Sequence, residues 1–190
     1  MRMLPTALYL VGKYGSVTLN DRTAEIIHNT SVCTHAHPRC LMACGIYASV
    51  VFSLSTGRRT KPDVRAGIAS ALSYYQEKPE FSGVFHDFGS LKSIGSREER
   101  QISGSGYVLH TLQAALWCLL TTDSYAECVC RAVNLGEDTD TTAAVAGGLA
   151  GIVYGKAGIP KEWLDTLANH EQIEDRCRRF TTRNAQIETL

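Results

Sequence analysis

Asp138 and Asp140, with the hydroxyls of Thr139, Thr141 and Thr142, sit at the mouth of a helix built of small apolar residues, Ala143-Ala144-Val145-Ala146-Gly147-Gly148-Leu149-Ala150-Gly151. All are hard oxygen donors, suited to Mg²⁺, Mn²⁺ or Ca²⁺ and not to zinc. Two residues of regular helix turn side chains about 200° apart, so both carboxylates cannot face one ion inside a helix. At the junction of a loop and a first helical turn the restriction lifts, and the carboxylates and a Thr hydroxyl can converge. A plainer reading competes: Asp and Thr are good N-caps, and acids are favourable near a helix N-terminus. An EF-hand is excluded, because counting from Asp138 puts Ala143 where Gly is needed and Leu149 where Glu is needed. Gly147, Gly151 and Gly155 are spaced four apart. That places them on one side of the helix, where they would let a neighbouring helix approach closely.

Other segments carry weaker chemistry. Cys33, His35, His37, Cys40 and Cys44 are a dense set of soft ligands. Their Cys-x-His-x-His-x₂-Cys spacing is not a standard zinc arrangement, so a zinc-dependent interaction module is a minor alternative. Gly104-Ser105-Gly106 is neither a nucleophile elbow nor a Gly-x-Gly-x-x-Gly loop, since position 109 is Leu. Tyr107 and Trp117 read as core aromatics, although Tyr107 after two glycines could stack on a base.

The elements that must position these groups are helical. Apolar periodicity predicts helices over 3–13, over 21–32 with Asn20 as N-cap, from Pro38 to near Gly57, and from Thr60 and Pro62 through Tyr75. Residues 77–106 read as a long Gly- and Ser-rich loop with a short helix around 97–101. Helices resume over 107–121, then from a Ser124-Tyr125-Ala126-Glu127 capping box to about Asn134, and over 140–154. Gly155 and Gly158 end the last of these. Pro160 opens another over 161–169, and a polar helix covers 171–183. The expected class is all-α, with residues 1–190 forming one domain.

Composition narrows the function. The 190 residues carry 19 Lys plus Arg against 19 Asp plus Glu. This balance gives no electrostatic case for nucleic acid. Arg176, Arg178, Arg179 and Arg183 read as a solvated helix face. Seven cysteines in irregular spacing suggest a reducing, cytoplasmic setting without a disulfide framework. No apolar run approaches the roughly 20 residues needed to span a bilayer. Arg2 before a short apolar run only loosely imitates a signal peptide.

Four segments, in order, resemble the ADP-ribosylglycohydrolase family. Gly136-Glu137-Asp138-Thr139-Asp140-Thr141 with the Ala/Gly helix and Tyr154-Gly155 resembles its C-terminal signature. Met1-Arg2-Met3-Leu4-Pro5 resembles the end of its Met-Arg loop. Thr34-His35-Ala36-His37-Pro38 resembles its Thr-His motif, and Ser105-Gly106-Tyr107-Val108 through Trp117 resembles its Gly-Tyr loop and the helix that follows. The resemblance implies a multi-helix orthogonal bundle, two Mg²⁺ or Mn²⁺ ions, and hydrolysis of the bond joining ADP-ribose to a protein side chain or a related small acceptor. It makes Asp138, Asp140 and Thr141 metal ligands and puts Arg2 near the phosphates. His35 would line the ADP-ribose site, with Gly104, Ser105, Gly106 and Tyr107 along the nucleotide. No catalytic acid or base is assigned.

Two departures temper the expectation. Glu137 stands where the family usually has a second Gly. The family's Thr-Asp-Asp ligand cluster lies upstream of the Met-Arg loop and has no counterpart here, so the chain resembles the C-terminal portion of a longer member. Mg²⁺ prefers six near-octahedral ligands, so one weakly held ion or none is expected from three oxygens. Core helices left uncovered would favour self-association. The alternative to a hydrolase is a non-catalytic ADP-ribose-binding or structural remnant of the same fold.

Overall fold

The computed structural model describes the backbone of residues 3–187 and the side chains of residues 3–182, and among them every regular element is a helix. Arg2 lies outside the described residues, as does the side chain of Arg183. The central element is α3 (Pro38–Thr56). Pro38 stands in its first turn, and His37 caps it by accepting from the Arg39 N–H at 3.2 Å. Its apolar residues leave no wet face: Met42, Ile46, Val50, Val51, Phe52 and Leu54 are all buried. Around it pack α1 (Met3–Tyr14), α2 (Asp21–Val32), α4 (Lys61–Gln76), α6 (Val108–Thr121) and α8 (Thr139–Tyr154). At 19 residues α3 is long and apolar enough to cross a bilayer by length and composition alone. This corrects the sequence reading that no run approaches that size. Its burial among five helices accounts for its apolarity.

Local signals set the boundaries. Asn20 caps α2 reciprocally with Thr23. At α4 the Asp63 carboxylate accepts from both the Thr60 N–H and the Thr60 hydroxyl at 2.8 Å. At α7 (Tyr125–Asn134) the Ser124 hydroxyl accepts from the Glu127 N–H at 3.2 Å as expected. The Glu127 carboxylate, however, accepts from the Asp123 N–H at 3.0 Å, one residue before the cap.

The segment 77–106 is not the open loop its glycines and serines suggested. It holds α5 (Ser82–Phe85), a run of 3₁₀ turns over His86–Ser96 and another turn over Glu99–Gln101. Phe81, Val84, Phe88, Leu91 and Ile94 are buried against α4 and α6. Their spacing of three to four residues suits a helix with three residues per turn. The tail also differs in length: α9 (Lys161–Thr166) is shorter and α10 (His170–Ile187) longer than their patterns implied. Arg178 and Arg179 pair with Asp175 on the exposed surface of α10.

The glycine stripe of α8 is only partly used for packing. A side chain at residue 147 would meet Tyr125 and Val129 of α7 at 3.3 Å, and one at residue 148 would meet Leu4 and Tyr47 at 3.0 Å. Residue 151 has nothing within 4 Å, so among the described residues no helix closes on that part of the stripe.

Candidate functional site

The loop from Ser103 to Tyr107 and the turn from Leu135 to Asp138 are built against each other. The Gly104 carbonyl accepts from the Asp138 N–H at 3.0 Å and from the hydroxyl of fully buried Thr142 at 3.4 Å. A Cβ on residue 104 would lie 2.4 Å from the Gly136 carbonyl oxygen. A Cβ on residue 106 would lie 2.2 Å from Asp138 Oδ2. Real Cβ atoms do not come so close; at residue 104 the obstacle is backbone, so that position requires glycine, whereas at residue 106 the Asp138 side chain would have to turn aside. Two motifs about thirty residues apart in the chain are thereby one structural unit.

Asp138 sits at the N-cap of α8 with non-helical backbone (φ −94°, ψ 69°), yet its side chain makes no capping hydrogen bond. The plainer reading of this carboxylate as a cap therefore does not describe it. Its Oδ2 faces Gly106 instead. Asp140 is exposed in the first turn, and Thr141 lines the neighbouring cavity. The donor set is oxygen only, which suits a hard divalent cation. Among the described residues no three His, Cys, Asp or Glu side chains gather closely enough to hold a metal ion. That holds for the cluster of Cys33, His35, His37, Cys40 and Cys44 as well.

Glu137 carries strain. Its φ of 57° lies in the left-handed region, next to Gly136 at 77°. This backbone costs a residue with a Cβ about 1–2 kcal/mol. Its carboxylate accepts only a long 3.4 Å bond from Ser103 on the surface. Glu137→Gly is accordingly expected to stabilise the fold by about 1 kcal/mol, whereas Glu137→Ala, which keeps the Cβ, should not. Paired thermal melts check this, and equal melting temperatures for the two variants would refute the strain.

A cavity of about 360 Å³ lies between α1, α2, α3, α6 and α8. Its wall brings together three of the residues singled out from sequence: His35, Gly106 and Thr141. Tyr47, Leu112 and Val145 supply apolar surface. An outer chamber of about 400 Å³ continues it past His35, His37, Arg39 and Tyr107. The volumes are those of a small-molecule site. Gly104, Ser105, Asp138 and Asp140 line neither chamber. Gly104 and Ser105 build the loop from behind, and Tyr107 is exposed at the mouth instead of lying in the core.

Sequence reasoning missed the group that holds this loop. His110 Nδ1 is 2.7 Å from the Ser105 hydroxyl, and its ring packs edge-on against Tyr107. The signal available was a histidine in the first turn of α6, five residues after Ser105. The thiols of Cys40 and Cys44 also enter the cavity wall, and burial pushes both up from the ordinary thiol range.

The ADP-ribosylglycohydrolase family model matches residues 1–188. ADP-ribosylarginine hydrolase Tri1 of Serratia proteamaculans is 30% identical over 155 residues, covering 82% of this chain and 39% of that protein. The Pseudomonas putida protein of the same name is 28% identical over all 190 residues and 47% of its own length. The ADP-ribosyl-[dinitrogen reductase] glycohydrolase of Rhodospirillum rubrum is 30% identical over 167 residues, 88% of this chain and 49% of that one. Among solved structures, a chain of an ADP-ribosylglycohydrolase-related protein complex superposes with a TM-score of 0.66 at 25% identity, covering 94% of this chain and 56% of that chain. The chain thus spans about half the length, or less, of the curated relatives described.

Proposed function

Because the chain belongs to the ADP-ribosylglycohydrolase family, we propose that it serves the hydrolytic removal of ADP-ribose from a modified protein side chain or a related small acceptor. The observation that carries this reading is the docking of the Ser103–Tyr107 loop onto the acidic start of α8, beside a cavity that His35 also lines. The inner cavity offers apolar walls for a ribose or base, and the mouth offers the exposed ring of Tyr107, braced by His110, as a surface for stacking.

In this reading Asp138, Asp140 and Thr141 hold Mg²⁺ or Mn²⁺. A bound divalent ion supplies Lewis-acid polarisation of a sugar oxygen and a more acidic water. The chain's own residues do the positioning. The glycine loop fixes the carboxylate of Asp138 relative to the cavity. His110 holds the Ser105 hydroxyl, and so the loop, in place.

The test is manganese titration by calorimetry, alongside release of ADP-ribose from an ADP-ribosylated protein. Asp138→Ala and Asp140→Ala should each weaken Mn²⁺ binding by tenfold or more. Unchanged binding in both variants would overturn the ligand assignment. The finding that Asp138 and Asp140 at the start of α8 gather no third His, Cys, Asp or Glu among the described residues favours a second reading: an ADP-ribose-binding module without turnover. Binding of ADP-ribose with no release from modified protein selects that reading.

A further inference from the structure

α10 is a polar helix with one apolar line along it. Ile173, Cys177 and Phe180 follow at intervals of four and three residues. That keeps them within about 60° of one another around the helix axis. In the sequence Ile187 continues the seven-residue interval from Ile173 and Phe180. Such spacing is the seam by which one helix packs on another. The seam is open: Ile173 is 41% exposed and Phe180 36%, and Cys177 is exposed as well. α10 packs against α1, yet none of its described side chains is buried and none joins the hydrophobic core. Helices in proteins gain most of their stability from packing an apolar face.

The charges beside the seam are segregated. Glu171, Glu174 and Asp175 come first, and Arg176, Arg178, Arg179 and Arg183 follow. This order suits the helix's own dipole, and it also makes the helix complementary to itself when reversed. With a two-fold axis between Arg176 and Cys177, Ile173 comes level with Phe180 of a second copy, Glu174 with its Arg179 and Asp175 with its Arg178. A parallel partner would set acids beside acids and arginines beside arginines. The pairs that these acids now make, Asp175 with Arg178 and Arg179 and Glu174 with Lys156, are exposed. Such pairs are worth about 0–1 kcal/mol, so exchanging them for pairs across an interface costs little. A two-fold interface uses the same patch on both partners, and this patch matches itself in both shape and charge. We propose that two copies of this chain associate through the Ile173–Cys177–Phe180 face of α10, antiparallel about an axis beside Cys177. One pair of 18-residue helices makes a small interface, so the association belongs to the weak, concentration-dependent class.

Sedimentation equilibrium over a wide range of concentration tests this on the intact chain. The parent should pass from monomer to dimer. Ile173→Glu and Phe180→Glu, at exposed positions, should each weaken dimerisation tenfold or more while the circular dichroism melt stays put. Two charge variants fix the orientation. The double variant Glu174→Arg with Asp175→Arg, and the double variant Arg178→Glu with Arg179→Glu, should each be monomeric alone and should pair when mixed. Mild oxidation should link two copies of the parent, and Cys177→Ser should abolish the link. A parent that stays monomeric throughout overturns the proposal. So does a dimer indifferent to both glutamate substitutions, which would use another face. A monomer that instead binds phosphatidylserine vesicles through Ile173 and Phe180 also overturns it and assigns the face to a lipid surface. Charge variants that fail to pair on mixing defeat the antiparallel arrangement.

Discussion

Phe88→Ala is expected to cost about 3–5 kcal/mol of folding stability, the range for emptying a buried aromatic site. Phe88 has no exposed surface. It stands in the 3₁₀ run of His86–Ser96, packed on α4 and α6 with Leu91 and Ile94. Two side-chain bonds bind this part of the chain to α6: Gln113 Nε2 donates to the Ser90 hydroxyl at 2.9 Å, and Trp117 Nε1 donates to the Arg97 carbonyl at 2.9 Å. The ring therefore cannot be replaced by collapse of a loose loop. Urea unfolding followed by circular dichroism measures the loss. A change within about 0.5 kcal/mol, usual for an exposed site, would mean that the segment is the surface loop its composition suggested.

Gly104→Ala should have the second large effect, on the site as well as the fold. The added methyl would meet the backbone oxygens of Gly136 at 2.4 Å and Leu135 at 3.1 Å. Neither is the tip of a flexible side chain, so the loop or the turn must move. Forced displacements of this kind cost about 1–3 kcal/mol. Relief by movement would break the bonds from Asp138 and Thr142 to the Gly104 carbonyl. Mn²⁺ and ADP-ribose affinity should fall together, tenfold or more. Gly151→Ala is the matched control, since its methyl meets nothing within 4 Å. It should stabilise the helix by up to about 1 kcal/mol and leave both affinities alone. Normal binding of both ligands by the Gly104→Ala variant would show that the loop and the turn are not one unit.

Much of the fold was legible because its signals are local. Asn20, Thr60, Pro38 and Ser124 each stand at the helix start they announced. The all-α class followed from periodicity. The segment 77–106 was illegible for a physical reason. Its glycines and serines resemble a loop, while its apolar residues recur at three to four positions in short stretches, too brief for an α-helical pattern to register. His35, Gly106 and Thr141, singled out because their motifs are linear, share the wall of one cavity. Arg39 and Asp87 were not singled out, since their pairing joins the start of α3 to the 3₁₀ run 48 residues away. The function of Gly151 was overestimated from spacing. Four-residue intervals say which side of a helix a glycine occupies, and only tertiary structure says whether anything arrives there.

The Gly104 carbonyl oxygen is a shared hinge pin. The loop that ends at the exposed Tyr107 ring and the cap residue of α8 meet at this one atom, while His110 and Thr111 tie the rest of the loop to α6. Drawing Gly104 outward with the loop would break the bonds that Asp138 and Thr142 make to it at the start of α8. The mouth of the cavity and the acidic end of α8 are thus neighbours joined through one peptide carbonyl.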